Sequence, residues 1–118
     1  MTTYKRGDVI LVSFPFSDES GTKQRPAVIV SSEAYNQRRQ EVVISAITSR
    51  TDRILTGDHL INAWSEAGLL SPSVATGIFR TIKQNMITRK LGSMPTNDLK
   101  EIDNQLAISF GLTLAQQK

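Results

Sequence analysis

Three short apolar runs mark the first half of the chain. They are Val9-Ile10-Leu11-Val12, followed by Phe14 and Phe16; Ala27-Val28-Ile29-Val30; and Val42-Val43-Ile44, followed by Ala46 and Ile47. All are rich in β-branched residues and too short for helices, so they predict strands. Apolarity that is near-continuous rather than alternating means both faces of each strand are covered. A barrel interior supplies one cover, and a partner subunit is a candidate for the other. The polar, Gly-containing stretch 17–24 predicts a loop, and Pro26 belongs at a strand start or edge because it has no N–H. Residues 32–39 predict about two helical turns, capped by Ser32, with Arg38 and Arg39 at the C-terminal end of the dipole.

Beyond residue 49 the pattern is less regular. Gly57, Gly68 and Pro72 punctuate it, and short strands are expected near 58–61, 75–79 and 86–91. The end reads as a helix: Leu99, Ile102, Leu106 and Phe110 fall three and four apart and make one stripe. Thr96 is the expected N-cap, Asp98 and Glu101 fall in the first turn, and Gly111 is the expected stop. The elements predict a mainly β fold with a C-terminal helix (α+β). No repeat or linker divides residues 1–118, so a single domain is expected.

Composition narrows the chemistry. A chain of 118 residues supports one core. It has no cysteine, which removes disulfides, thiolate metal sites and cysteine nucleophiles. His59 is its one histidine, so neither a two-histidine acid/base pair within a chain nor a zinc site built on several histidines is expected. The formal net charge of +3 is compatible with a polyanionic partner. No apolar run is long enough to span a membrane, and the opening residues lack a signal-peptide core. The expectation is a cytoplasmic protein without metal or cofactor.

The individual candidates are few. His59 has no partner histidine, and a surface or structural role is expected for it. Asp18-Glu19 reads as solvated charge in a loop; Asp98, Glu101 and Asp103 read as capping and surface charges of the terminal helix. No Gly-rich phosphate loop is present. What remains is a basic, hydroxyl-rich face. Residues 22–53 carry six cations (Lys23, Arg25, Arg38, Arg39, Arg50, Arg53) against three acids (Glu33, Glu41, Asp52). If the second and third strands pair antiparallel, the start of one meets the end of the other. Arg25 and Thr48 then converge at one end of the sheet. A guanidinium beside a hydroxyl, with further cations near, suits a phosphate.

Several segments resemble, in order, those of the MazF/PemK toxin family. They are Gly7-Asp8-Val9-Ile10-Leu11-Val12 with Phe14-Pro15-Phe16-Ser17-Asp18; Lys23-Gln24-Arg25-Pro26-Ala27-Val28-Ile29-Val30-Ser31; and Val42-Val43-Ile44-Ser45-Ala46-Ile47-Thr48-Ser49. Gly68-Leu69-Leu70-Ser71-Pro72-Ser73-Val74, Arg80-Thr81-Ile82 and Leu91-Gly92-Ser93-Met94-Pro95 continue the match over nearly the whole chain. The resemblance implies a small SH3-like β-barrel of the CcdB/MazF type with a closing helix, assembled as a homodimer. It implies a sequence-selective, metal-independent endoribonuclease that cleaves single-stranded RNA. It also implies a cognate antitoxin whose acidic or apolar tail fills the RNA site. Gln24 stands where some members have histidine, and Phe14-Pro15-Phe16 where some have tryptophan, so the target sequence is not carried over.

The family's catalytic arginine and threonine map onto Arg25 and Thr48. The implied reaction is attack by the RNA's 2′-hydroxyl on the adjacent phosphate, leaving a 2′,3′-cyclic phosphate and a 5′-hydroxyl. The resemblance implies Arg25 as acid or base with Thr48 assisting, although a free guanidinium is a poor base near neutrality and fits charge neutralisation better. Lys23, Gln24, Ser49, Arg50 and Arg53 are the expected RNA contacts, and Trp64, Tyr35 and Phe16 the candidate stacking groups. The alternatives are a non-catalytic CcdB-like toxin, or a nucleic-acid-binding module, on the same fold.

Overall fold

A computed structural model describes residues 4–15 and 22–113. The three apolar runs form β1 (Asp8–Pro15), β2 (Thr22–Ile29) and β3 (Glu41–Thr48). Between β2 and β3 lies α1 (Glu33–Arg38), where Ser32 Oγ accepts the Tyr35 N–H at 3.2 Å, the expected cap. The chain continues through β4 (His59–Leu60), β5 (Val74–Lys83), a 3₁₀ turn at Gln84–Met86, β6 (Ile87–Ser93) and α2 (Thr96–Phe110). β2 starts inside the stretch expected to be loop. Phe16 and residues 17–21 of that loop lie outside the described residues. No described helix is long and apolar enough to cross a membrane.

The strands form one antiparallel sheet in the order β4-β5-β3-β2-β1-β6. β5 and β6 stand four ladder spacings apart, about 19 Å if the sheet were flat. Yet only residues 84–86 join them, and the step from Lys83 to Ile87 reaches at most about 14 Å. The sheet must therefore roll. Inside the roll, Ile10, Ile29, Val42 and Ile44 have no exposure and pack with Ile82 and Ile87. The expected barrel corresponds to this rolled sheet, which is not closed: among the described residues no ladder joins β4 to β6.

The outer face is covered by the same chain. Val9, Val28, Ile47 and Ala75 pack under Ile102 of α2 and under Ile61, Ala67 and Leu69 of the segment before β5. Trp64 joins this cluster half-buried, as packing rather than as an exposed stacking surface. The near-continuous strand apolarity thus needs no partner subunit to explain it, contrary to one expectation above. Segment and sheet meet backbone to backbone. A Cβ on Gly92 would lie 2.4 Å from the Ala67 carbonyl oxygen, and one on Gly68, at φ +89°, 2.2 Å from that of Leu91.

α2 departs from its expected details at both ends. Pro95 occupies the N-cap position, Thr96 is already helical, and no side chain caps the start. Asp98 is neither a cap of its own helix nor a surface charge: it is 2% exposed. Its carboxylate accepts the Asn62 and Ala63 N–H groups at 2.9 and 3.0 Å and pairs with His59 Nε2 at 2.7 Å. The first turn of α2 lies against the 59–63 segment, which has backbone donors to satisfy. Burial pushes the Asp98 carboxyl up, but the Asn62 N–H, His59 and the Ala63 N–H together hold it below its ordinary value of 3.8. At the other end, Gly111 stops the helix at φ 68° as expected. Phe110, expected in the apolar stripe, is 58% exposed and leans on Phe79, the ring centroids 5.3 Å apart.

Asp98→Ala strands two backbone donors and His59, so urea unfolding should show a loss of about 3–5 kcal/mol. Because the folded carboxyl is the stronger acid, its stabilisation is complete above the ordinary carboxylate pKa and fades as pH falls through the lower folded value. Wild-type stability should drop across that acid range, and the Asp98→Ala protein should drop less.

Candidate active site

β2 and β3 pair at Ala27↔Ala46, Val28↔Ser45 and Ile29↔Ile44. Continuing that register two residues places Arg25 opposite Thr48. The β2–β3 ladder stops at Ala27 and Ala46, although β2 starts at Thr22 and β3 runs on to Thr48. Pro26 sits just past the last pair, where its missing N–H costs nothing. The two strand ends open onto a groove of about 950 Å³ whose lining includes both Arg25 and Thr48.

The floor of the groove is apolar, from Leu11, Pro26, Leu69 and Leu91, while Arg25, Arg80 and Arg89 supply cations and Ser49, Ser71 and Ser73 hydroxyls. No carboxylate or imidazole belongs to its described lining. Leu70 stands at the rim, 98% exposed. Thr48 Oγ1 accepts the Arg50 N–H at 3.2 Å. That bond uses a lone pair of the hydroxyl and leaves its hydrogen to be donated. Three guanidinium groups and a hydroxyl donor around an apolar floor can hold a phosphodiester while apolar groups lie beneath it.

Not every expected contact converges here. Arg50 and Arg53 line an adjoining cleft of about 330 Å³. Arg50 pairs with Asp52 at 3.3 Å and holds the Asp52 carboxyl below its ordinary value. Both side chains are well exposed, so this pair adds little stability. Lys23 and Gln24 are exposed on β2 beside the groove but outside its lining, and Gln24 Oε1 accepts a bond from Thr88 Oγ1 at 3.2 Å. Tyr35 lies under the Arg39 guanidinium on α1, 5.2 Å from carbon to ring centroid, and lines neither cavity. His59 takes the expected structural role through Asp98.

Arg80 and Arg89 belong to the site yet were not among the expected contacts. Neither stands in a motif of its own: Arg80 lies between Phe79 and Thr81 in β5, and Arg89 between Thr88 and Lys90 in β6. β1 carries Arg89 opposite Leu11, and β3 carries Arg80 opposite Ile44. Only the strand order brings both to the Arg25 side.

A family model described as PemK-like, MazF-like toxin of type II toxin-antitoxin system matches residues 5–110. The chain is 31% identical over 112 residues to Endoribonuclease MazF of Staphylococcus saprophyticus, covering 92% of each chain. Among solved structures, a MazE-MazF structure from Deinococcus radiodurans superposes with a TM-score of 0.78 at 20% identity, covering 96% of this chain and 100% of that one. An endoribonuclease in complex with its cognate antitoxin, from Mycobacterial species, gives 0.74 at 22% identity over 94% of this chain and 98% of that one. These two structures share the fold. On the family match and the Staphylococcus relative, the chain belongs to the PemK-like, MazF-like toxins of type II toxin–antitoxin systems.

Proposed function

We propose that this MazF-type endoribonuclease toxin cleaves single-stranded RNA in the groove between the ends of β2 and β3. The observation that supports the reading is a cationic groove lined by both Arg25 and Thr48, whose described lining holds no carboxylate. The 2′-oxygen of the RNA forms a bond to the adjacent phosphorus, and the bond from phosphorus to the 5′ oxygen breaks. The products are a 2′,3′-cyclic phosphate and a 5′-hydroxyl. The nucleophile belongs to the substrate, so the protein's work is alignment and charge neutralisation. Arg25 directs its planar fork at the non-bridging oxygens, and Thr48 donates its hydroxyl hydrogen to one of them. The 2′-hydroxyl must lose a proton and the 5′ oxygen must gain one; both exchange with water, and Arg25 acts electrostatically.

Lys23, Gln24, Ser49, Arg50 and Arg53, together with Arg80 and Arg89, hold the flanking backbone. Sequence selectivity resides in the flanking contacts, because the Arg25–Thr48 pair reads only phosphate and ribose. The same groove receives a cognate antitoxin, its apolar floor matching an apolar tail and its cations an acidic one. Antitoxin-bound relatives of the same fold support this. The working unit is a homodimer acting in the cytoplasm. Ile108, Phe110 and Leu112, each more than half exposed at the end of α2, supply apolar surface for the second copy.

Arg25→Lys keeps the charge and loses the fork; Thr48→Val keeps the shape and loses the hydroxyl. Each should slow cleavage in EDTA by about 10²-fold or more, with RNA affinity little changed. The double variant should lose less than the product of the two. His59→Ala should cleave normally per folded molecule while unfolding more easily. Normal rates for both Arg25→Lys and Thr48→Val would refute the site.

RNA affinity should fall steeply with salt, as bound cations displace counterions from phosphates. Arg50→Ala and Arg89→Ala should each weaken binding and flatten the log–log salt slope by about 0.7, the single-strand value per phosphate contact. Unchanged slopes would remove these residues from the interface.

Light scattering at micromolar concentration should give about twice the chain mass. A persistent monomer would overturn the dimer.

A further inference from the structure

β3 and β5 keep simple register as far as Ser45↔Phe79, and the next pair is Ile47↔Ala75. β3 advances two residues while β5 advances four, so residues 76–78 bulge out of the sheet. The bulge is locked. Ser45 Oγ donates to the Thr76 carbonyl at 2.5 Å, and Thr76 Oγ1 donates to the Ala46 carbonyl at 2.7 Å. The Ile78 N–H donates to Thr76 Oγ1 at 3.2 Å, and the Gly77 N–H to Asp58 Oδ1 at 2.8 Å. Ser45 and Thr76 are buried, at 1% and 8% exposure, while Ile78 is pushed outward to 60%. An isoleucine held out on a locked backbone, and stiff at χ1, is a fixed apolar projection.

Its location gives the projection a use. The groove and the adjoining cleft share two lining residues, Thr48 and Ile78. Thr48 marks the seam between the two cavities, and Ile78 stands at the same seam. The cleft offers one nucleotide apolar and cationic contacts: Leu55, 54% exposed, faces the same space as Ile78, with Arg50 and Arg53 beside them. Its two carboxylates are already engaged, Asp52 with Arg50 and Asp58 with the Leu55 and Gly77 N–H groups.

We propose that Ile78 is a wedge that separates the two nucleotides flanking the cleaved phosphate, seating one in the groove and the other in the Arg50–Arg53 cleft. This rests on the RNA-cleavage reading above. In a stacked strand the 2′-oxygen lies to the side of the phosphorus. Attack requires it to stand opposite the departing 5′ oxygen, and the backbone reaches that in-line arrangement when adjacent bases part. Apolar side chains inserted between bases unstack them in this way. Ile78 is thus a positioning residue: it stabilises the splayed strand, while Arg25 and Thr48 act on the phosphate. The adjoining cleft becomes a nucleotide subsite, which gives Arg50 and Arg53 a defined place along the strand.

The test compares wild type with Ile78→Ala and Ile78→Leu, using one RNA whose cleaved bond has been mapped with wild-type protein. A second substrate carries an abasic ribose just 3′ of that bond, where there is no stack to break. On intact RNA, Ile78→Ala should lose about 10-fold or more in kcat, with KM changed by less than about twofold, on the scale of one base-stacking contact. Ile78→Leu should keep most of the rate. On the abasic substrate, Ile78→Ala should match wild type. Equal cleavage of intact RNA by wild type and Ile78→Ala would overturn the wedge. So would an equal loss on both substrates, which marks a purely structural or subunit-contact role that sedimentation of the variant would identify. Wild-type protein that cleaves no RNA would refute the nuclease reading itself and the wedge with it, an outcome distinct from a cleaving enzyme indifferent to residue 78.

Discussion

A three-residue turn joins two strands that a flat sheet would hold four ladder spacings apart. That connection obliges the sheet to roll, and the rest of the architecture depends on the roll. It creates an inside, filled by the isoleucines and valines of β1, β2 and β3 together with Ile82 and Ile87. It also leaves a convex outside, which α2 and the 61–69 segment cover. Burial at roughly 25 cal/mol per Å² acts on both faces, in keeping with the unbroken apolar runs at residues 9–12, 27–30 and 42–44. Buried polar side chains find partners, among them Ser31 with Asn36, and Ser45 with the Thr76 carbonyl.

The groove lies where the ladder ends. Past Ala27 and Ala46 the facing edges of β2 and β3 have no ladder partner, and Arg25 and Thr48 stand on those edges. Rigid strands hold the two side chains proposed to act on the phosphate, a better foundation for transition-state geometry than a loop. The apolar floor lowers the local dielectric, which strengthens the field of the guanidinium groups at a bound phosphate. The absence of carboxylates from the described lining is consistent with a polyanionic occupant, because an acidic residue there would oppose it.

The 59–63 segment shows how a site is braced from a distance. Asp98 gathers two backbone donors and His59 from that segment and holds them to α2. A few residues along, Asp58 accepts from Leu55 and Gly77, tying the loop before β4 to the bulge in β5. Gly57 and Gly77 approach so closely that a Cβ on Gly77 would lie 3.2 Å from the Gly57 Cα. One run of contacts therefore leads from the terminal helix, through the loop, to the bulge beside Thr48.

Local chemistry made much of this legible without coordinates. β-branched runs of strand length, Ser32 ahead of a helical turn, a three-and-four stripe ending in Gly111: each is a signal carried within a few residues, and each formed the element it predicted. Arg25 and Thr48 could be paired because antiparallel strands bring the start of one to the end of the next. What the sequence could not decide was anything set by strand order or by how the sheet closes on its cover. Nothing local marks Arg80 or Arg89; the pairings with β3 and β1 carry them to the groove. Asp98 read as a surface charge until α2 settled on donors some 35 residues away. Ile78 falls within an expected strand, and only the bulge shows that it faces outward. These outcomes depend on contacts between distant segments, which short-range periodicity does not encode, because the register and order of strands are settled only when the whole sheet packs.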